Sequence, residues 1–176
     1  MEKKIKISVL GDGGWGTALS LLLDRKGYPV TLWSAFRDYA EVLREKRENI
    51  KFLKGFRLPD SIAIGSDLRE AVENGELLIF AVPAQYLRSV ASRIKPEQMK
   101  GKIAVSVAKG IEKETLLRPS EIISSCLPCE HLAVLSGPSH AEEVARKLPC
   151  CVVVASSSLE VAQSVRGILM DASFRV

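Results

Sequence analysis

Six residues at the end of the first apolar run, Gly11-Asp12-Gly13-Gly14-Trp15-Gly16, satisfy G-x-G-x-x-G, a spacing that lets a backbone take hold of a pyrophosphate. Each glycine answers a different physical demand. Gly11 turns the chain from strand to helix, Gly13 leaves room for a phosphate to reach main-chain N–H groups, and Gly16 lets helix and strand close on each other. The N–H groups of the helix start then face the anion. The pattern alone is weak, but here it follows a strand and opens a strongly periodic helix, so it is read as a dinucleotide-binding turn. No G-x-x-x-x-G-K-[ST] segment occurs, which excludes a P-loop by pattern.

The next strand ends Leu32-Trp33-Ser34-Ala35-Phe36-Arg37, with no acid in the place that usually binds the ribose 2′-hydroxyl of NAD. Ser34 and Arg37 tilt the expectation modestly toward NADP. Farther along, Lys109-Gly110 follows an apolar strand and puts an ammonium where a phosphate or a polarised oxygen would sit. Gly137-Pro138-Ser139-His140-Ala141 also lies between a strand and a helix. It imitates a nucleophile elbow, but no histidine follows His140 and no second histidine completes H-E-x-x-H, so hydrolase and zincin readings fail. Cys126 and Cys129, with the adjacent Cys150 and Cys151, lack the spacing of a structural zinc site; they are read as thiols, and no metal is expected.

Elements must bring these groups together. Predicted strands are Ile5–Leu10, Val30–Trp33, Ile62–Ile64, Leu77–Val82, Ile103–Val107, Leu132–Leu135, Val152–Ala155 and Phe174–Val176. Between them run helical stripes: Trp15, Ala18, Leu19, Leu22 and Leu23 in the first, and Leu87, Val90, Ala91 and Ile94 in another. Asp67 and Glu70 have the spacing of a helix start, and Arg37–Glu48 reads as a solvated helix face. Nearly all-apolar strands alternating with helices specify a doubly wound α/β fold of the Rossmann type, a mostly parallel sheet with helices on both faces. In such a sheet the motifs gather at the carboxyl ends of the strands. An apolar share of 47% over 176 residues excludes disorder. The apolar runs are too short to span a bilayer, and Met1-Glu2-Lys3-Lys4 leads into no signal-peptide core, so a cytoplasmic protein is expected. The excess of Lys plus Arg (25) over Asp plus Glu (21) is spread along the chain, unlike the concentrated patch of a nucleic-acid module.

Five segments in order, Gly11–Ala18, Asn49–Pro59, Val82–Arg88, Ala108–Glu112 and Leu135–Ala145, give the chain a resemblance to the bacterial glycerol-3-phosphate dehydrogenase [NAD(P)+] family over essentially its whole length. The departures are Lys54 where the family often has proline, Ala84 and Ala108 for serine, and His140 for phenylalanine. The resemblance implies NADPH or NADH as cofactor. It puts Gly11, Gly13, Gly14, Trp15 and Gly16 at the dinucleotide, together with Phe52, Lys109 and Ala141. Ala35 falls where relatives can carry a basic residue near the adenosine ribose. Lys109, Gly137 and Ser139 would meet the substrate. The implied reaction is reversible reduction of dihydroxyacetone phosphate to sn-glycerol 3-phosphate, a glycerolipid precursor. The resemblance further implies a small-molecule substrate, no nucleic-acid or membrane partner, and a homodimer at full length. Residues 1–176 are expected to form the dinucleotide-binding domain, with the general acid/base lysine in a helical domain beyond Val176, so no catalytic residue is assigned within the chain. The alternatives are a non-catalytic dinucleotide-binding module and a related dehydrogenase acting on another hydroxy or oxo substrate.

Overall fold

The computed structural model describes residues 4–176; Met1 to Lys3, part of the N-terminal reading above, lie outside it. The chain opens with β1 (Ile7–Leu10), α1 (Gly14–Arg25), β2 (Val30–Trp33) and α2 (Arg37–Lys46). A hairpin of β3 (Glu48–Asn49) and β4 (Leu53–Arg57) follows, then β5 (Ala63–Gly65), α3 (Leu68–Asn74), β6 (Leu77–Phe80) and α4 (Ala84–Ala91). A 3-10 turn at Pro96–Met99 leads to β7 (Ile103–Ser106), α5 (Pro119–Cys126), β8 (His131–Ser136) and α6 (Ala141–Ala145). The last elements are β9 (Cys150–Cys151), β10 (Val153–Ser156), α7 (Leu159–Leu169) and β11 (Phe174–Arg175).

Seven strands form one sheet in the order β10-β8-β7-β6-β1-β2-β5, all pairs parallel except β10 with β8. The order reverses direction at β1, which places the glycine turn at the switch point where such sheets open a ligand crevice. Strand alternation divides the core into two layers. Ile7, Val9, Leu77, Ile79, Val105, Ala133 and Leu135 pack with α1, α2, α6 and α7 on one face. Leu10, Leu78, Phe80 and Ala104 pack with α3, α4 and α5 on the other. The helical stripes point inward as their spacing predicts: Ala18, Leu19, Leu22 and Leu23 are buried, as are Leu87, Val90, Ala91 and Ile94. Asp67 caps α3, its carboxylate accepting from Glu70 N–H at 3.1 Å.

The sequence reading differs from the fold in two places. The β3–β4 hairpin carries Lys54 and Gly55 and buries little besides Leu53 and Asn49, so it offers no strand-like apolar alternation. The run Val152–Ala155 does not begin as one strand: Val152 lies between β9 and β10, and β10 is an antiparallel edge strand with Val153 exposed.

Candidate dinucleotide site

The glycine turn is built as its chemistry requires. Gly11 has φ +122, and a Cβ there would lie 2.8 Å from the Ala81 carbonyl carbon and oxygen. At Gly16 a Cβ would lie 1.9 Å from the Gly11 carbonyl oxygen, so only glycine lets α1 rest on the end of β1. Gly13 is the opposite case: a Cβ there meets no atom within 4 Å. The fold leaves open the space beside Gly13, at the N-terminus of a helix that has no side-chain cap and no acid in its first turn. The N–H groups of that turn therefore retain capacity for an anion. These features fit a pyrophosphate.

A second layer closes over the turn from the β3–β4 hairpin. Asn49 is fully buried; its Nδ2 donates to the Asp12 carbonyl at 2.7 Å and to Thr17 Oγ1 at 2.7 Å. Its Oδ1 accepts from Tyr39 Oη at 2.6 Å and from Phe52 N–H at 3.1 Å. One amide thus joins the turn, α1, α2 and the hairpin. The hairpin tip presents Phe52, half-exposed and edge-on to Tyr39 at 5.8 Å between ring centroids. The Phe52 carbonyl and the Ala141 methyl group both abut Gly14. Trp15 is half-buried and packs on Phe174 at 6.3 Å. Gly14, Phe52 and Ala141, far apart in sequence, are thereby brought together.

At the end of β2, Ala35 is exposed and Ser34 is completely buried, its hydroxyl donating to the Phe36 carbonyl at 3.1 Å. Arg37 lies on the surface with Nε on Glu41 at 3.2 Å. The two groups behind the tilt toward NADP are thus buried in one case and paired in the other. An acid does stand nearby: Asp12, nine-tenths buried, whose carboxyl is pushed up by burial against the opposing pull of the Ser34 hydroxyl and the Lys51 ammonium.

The other wall of the crevice comes from the loops after β7 and β8. Lys109 Nζ donates to the carbonyls of Gly137 (3.4 Å) and Ser139 (3.3 Å) and to Ser139 Oγ (3.4 Å), so the three expected substrate residues meet in space. Their support was not foreseen. Arg88 of α4 grips Glu112 with Nε at 2.9 Å and Nη2 at 2.7 Å from its carboxylate oxygens. Hydrogen bonds from Arg88 and then Thr115 hold the Glu112 carboxyl below its ordinary range. Both residues stand in the quoted motifs; the signal was their presence there, but their pairing across the α4–β7 gap is a tertiary fact.

Similarity to known proteins agrees with this geometry. Residues 6–162 match the family model described as NAD-dependent glycerol-3-phosphate dehydrogenase N-terminus. The chain is 46% identical over 173 residues to glycerol-3-phosphate dehydrogenase [NAD(P)+] of Moorella thermoacetica, covering 98% of this chain and 51% of that protein. It is 43% identical over 171 residues to the same enzyme of Agathobacter rectalis, covering 97% of this chain and 51% of the other. The crystal structure of glycerol-3-phosphate dehydrogenase from Coxiella burnetii superposes with a TM-score of 0.91 at 32% identity, over 99% of this chain and 54% of that one. The chain spans about half the length of the curated relatives it matches. With the turn, the hairpin and the lysine loop placed as the sequence motifs require, and the family model covering most of its length, the chain belongs to the NAD-dependent glycerol-3-phosphate dehydrogenase N-terminal family.

Proposed function

We propose that these residues supply the cofactor-binding half of an NAD(P)-dependent dehydrogenase that interconverts dihydroxyacetone phosphate and sn-glycerol 3-phosphate. The observation that carries the reading is the open space at Gly13 above an uncapped helix N-terminus, in one crevice with the Lys109–Ser139 cluster. When bound, the reduced nicotinamide supplies the hydride. The chain's own residues would do the rest of this half of the work. Gly13 and the first N–H groups of α1 hold the pyrophosphate, and Gly14, Phe52 and Ala141 shape the pocket beside it. Trp15 and Ala35 border the site at the helix start and at the end of β2. Lys109 faces the substrate, where a fixed cation offsets the negative charge of a phosphate or of the carbonyl oxygen that gathers charge on reduction. Gly137 and Ser139 hold Lys109 through three acceptors and complete that wall.

We assign the general acid and the remaining substrate wall to residues outside these 176. Cytoplasmic location and homodimerisation belong to the same proposal and rest on the family resemblance alone; sedimentation of the full-length protein tests the second. Among the described residues no helix is long and apolar enough to cross a membrane.

The test is a fluorescence titration of the chain with NADH and NADPH, repeated with Gly13→Val. The backbone of Gly13 is ordinary extended geometry (φ −62, ψ 172) with no protein atom near its Cβ position, so the valine is accommodated by the fold and intrudes only on the ligand. Unchanged melting with binding abolished is expected. A variant that titrates like the parent would refute the placement.

A further inference from the structure

The second residue of the glycine turn is an acid that the proposed function leaves unused. Asp12 is nine-tenths buried, and among the described residues its Oδ2 has no hydrogen-bond partner. A buried, unpartnered carboxyl oxygen is costly and calls for a reason. Burial raises this carboxyl, Ser34 after β2 and Lys51 at the hairpin tip pull against it, and Tyr39 of α2 feels its charge. Lys51 is the cation that bears on it, and its ammonium also lies over the rings of Phe52 (4.9 Å) and Tyr39 (5.8 Å). Arg37, the next basic residue along α2, is paired with Glu41.

In a doubly wound dinucleotide site the adenosine ribose is read at the end of β2, usually by an acid that accepts the 2′-hydroxyl. That strand here ends in Ser34 and Ala35, neither of them acidic. The negative charge comes from the neighbouring strand end: β1 pairs with β2 in the register Leu10 to Trp33, and Gly11 N–H donates to the Trp33 carbonyl at 3.0 Å, so the turn that carries Asp12 lies beside the end of β2. We propose that Asp12 selects between the two cofactors through its charge, the carboxylate beside the end of β2 repelling a ribose 2′-phosphate and so favouring a ribose with a free 2′-hydroxyl. The proposal rests on the dinucleotide reading of the turn and reverses the lean toward NADPH drawn from the sequence. A ribose 2′-phosphate brings a charge between −1 and −2 near neutral pH, so repulsion by one fixed carboxylate discriminates strongly. The selection also depends on pH. Asp12 repels only when ionised, and burial moves that ionisation upward, so the preference for NADH grows as pH rises through the shifted value and fades below it.

The experiment measures dissociation constants of NADH and NADPH for the chain from pH 5.5 to 8.5, with Asp12→Asn and Lys51→Met alongside and thermal melting of each as a check on folding. For the parent, NADH is expected to bind at least about tenfold tighter than NADPH at high pH, the size of a charge effect of about 1.4 kcal/mol. Asp12→Asn, nearly the same shape without the charge, is expected to bring the ratio toward one and to remove its pH dependence. The 2′-phosphate's own ionisation near pH ~6 affects both proteins and drops out of the comparison. If Asp12→Asn does not fold, Asp12→Ala, which also removes the charge, decides the matter; Lys51→Met takes a cation away from the carboxylate and a 2′-phosphate alike and is expected to deepen the preference for NADH at high pH. A cofactor ratio untouched by either Asp12 substitution, or a parent that favours NADPH, overturns the role of Asp12 while leaving dinucleotide binding intact. A parent that binds neither cofactor overturns the dinucleotide reading and this proposal with it.

Discussion

Asn49 is the residue whose loss reaches farthest, because four groups from four segments end on its one amide. Asn49→Leu would keep the volume and strand those partners in a buried site, at roughly 1–3 kcal/mol for each one that water cannot reach. The expected outcome is destabilisation of at least about 2 kcal/mol in urea melts, together with weaker NADH binding because Phe52 loses its anchor. The asparagine was legible as a member of a motif, and its function was not, since its partners come from residues 12, 17, 39 and 52 and meet only in the fold. The cysteines show the converse, individual chemistry without a shared site. Cys150 is buried and Cys151 exposed on neighbouring positions of one strand, while burial alone pushes the Cys129 thiol up to about 11. A rise of two pH units costs about 100-fold in thiolate at pH 8. Iodoacetamide labelling followed by mass spectrometry is expected to mark Cys151 early and Cys129 late; early labelling of Cys129 would contradict its raised thiol.

At the scale of elements, two clamps decide how well the crevice holds its shape. The first is Arg88–Glu112, which pins the segment carrying Lys109 to α4; the Glu112 backbone closes the same turn through Leu116 N–H at 2.9 Å and through the Leu117 carbonyl at 2.9 Å. Glu112→Gln keeps the shape and removes the charge. Faster amide hydrogen exchange over residues 108–117 is expected, with exchange elsewhere unchanged. The second is Asp171, which accepts from Arg25 at 2.7 Å and from the N–H groups of Ser173 and Phe174, setting the turn into β11. Burial would raise its carboxyl, but the hydrogen bonds from Arg25, Ser173 and Phe174 prevail and hold it at about 2. A carboxyl with a depressed folded-state value stabilises fully above its unfolded value near ~3.9 and loses that contribution as pH falls through about 2. Asp171→Asn is therefore expected to cost about 1.5–3 kcal/mol at pH 7, with the gap to the parent shrinking at pH 2. Urea melts at the two pH values check the sign. The helices α1 and α4 and the inner strands were readable because each helix repeats one apolar spacing over two turns or more and each strand runs apolar on both faces. The hairpin was not, since its worth lies in the single amide it carries to the glycine turn.

For the whole molecule, the switch point at β1 explains why motifs separated by most of the chain share one crevice, and the order of strands was the part no local pattern encoded. On the proposed division of labour, the chain mixed with NADH and dihydroxyacetone phosphate is expected to bind cofactor and show no measurable oxidation in an absorbance assay. A positioned general acid is worth about 10² to 10⁴-fold, and holding the ketone in line can be worth effective molarities of roughly 10⁵ to 10⁸ M. Turnover near that of an intact relative would show the site to be complete within these residues. The placement of Trp15 has a further, optical consequence. The protein's two indoles flank the first β–α–β unit: Trp33 is sealed at the end of β2 with Nε1 on the Ser66 carbonyl at 3.0 Å, and Trp15 stands half-open in the first turn of α1. Indole emission overlaps the absorption of a reduced nicotinamide and not of an oxidised one. The fold therefore carries its own energy-transfer donors at the proposed site, and tryptophan quenching can report the arrival of a reduced ligand without any added dye.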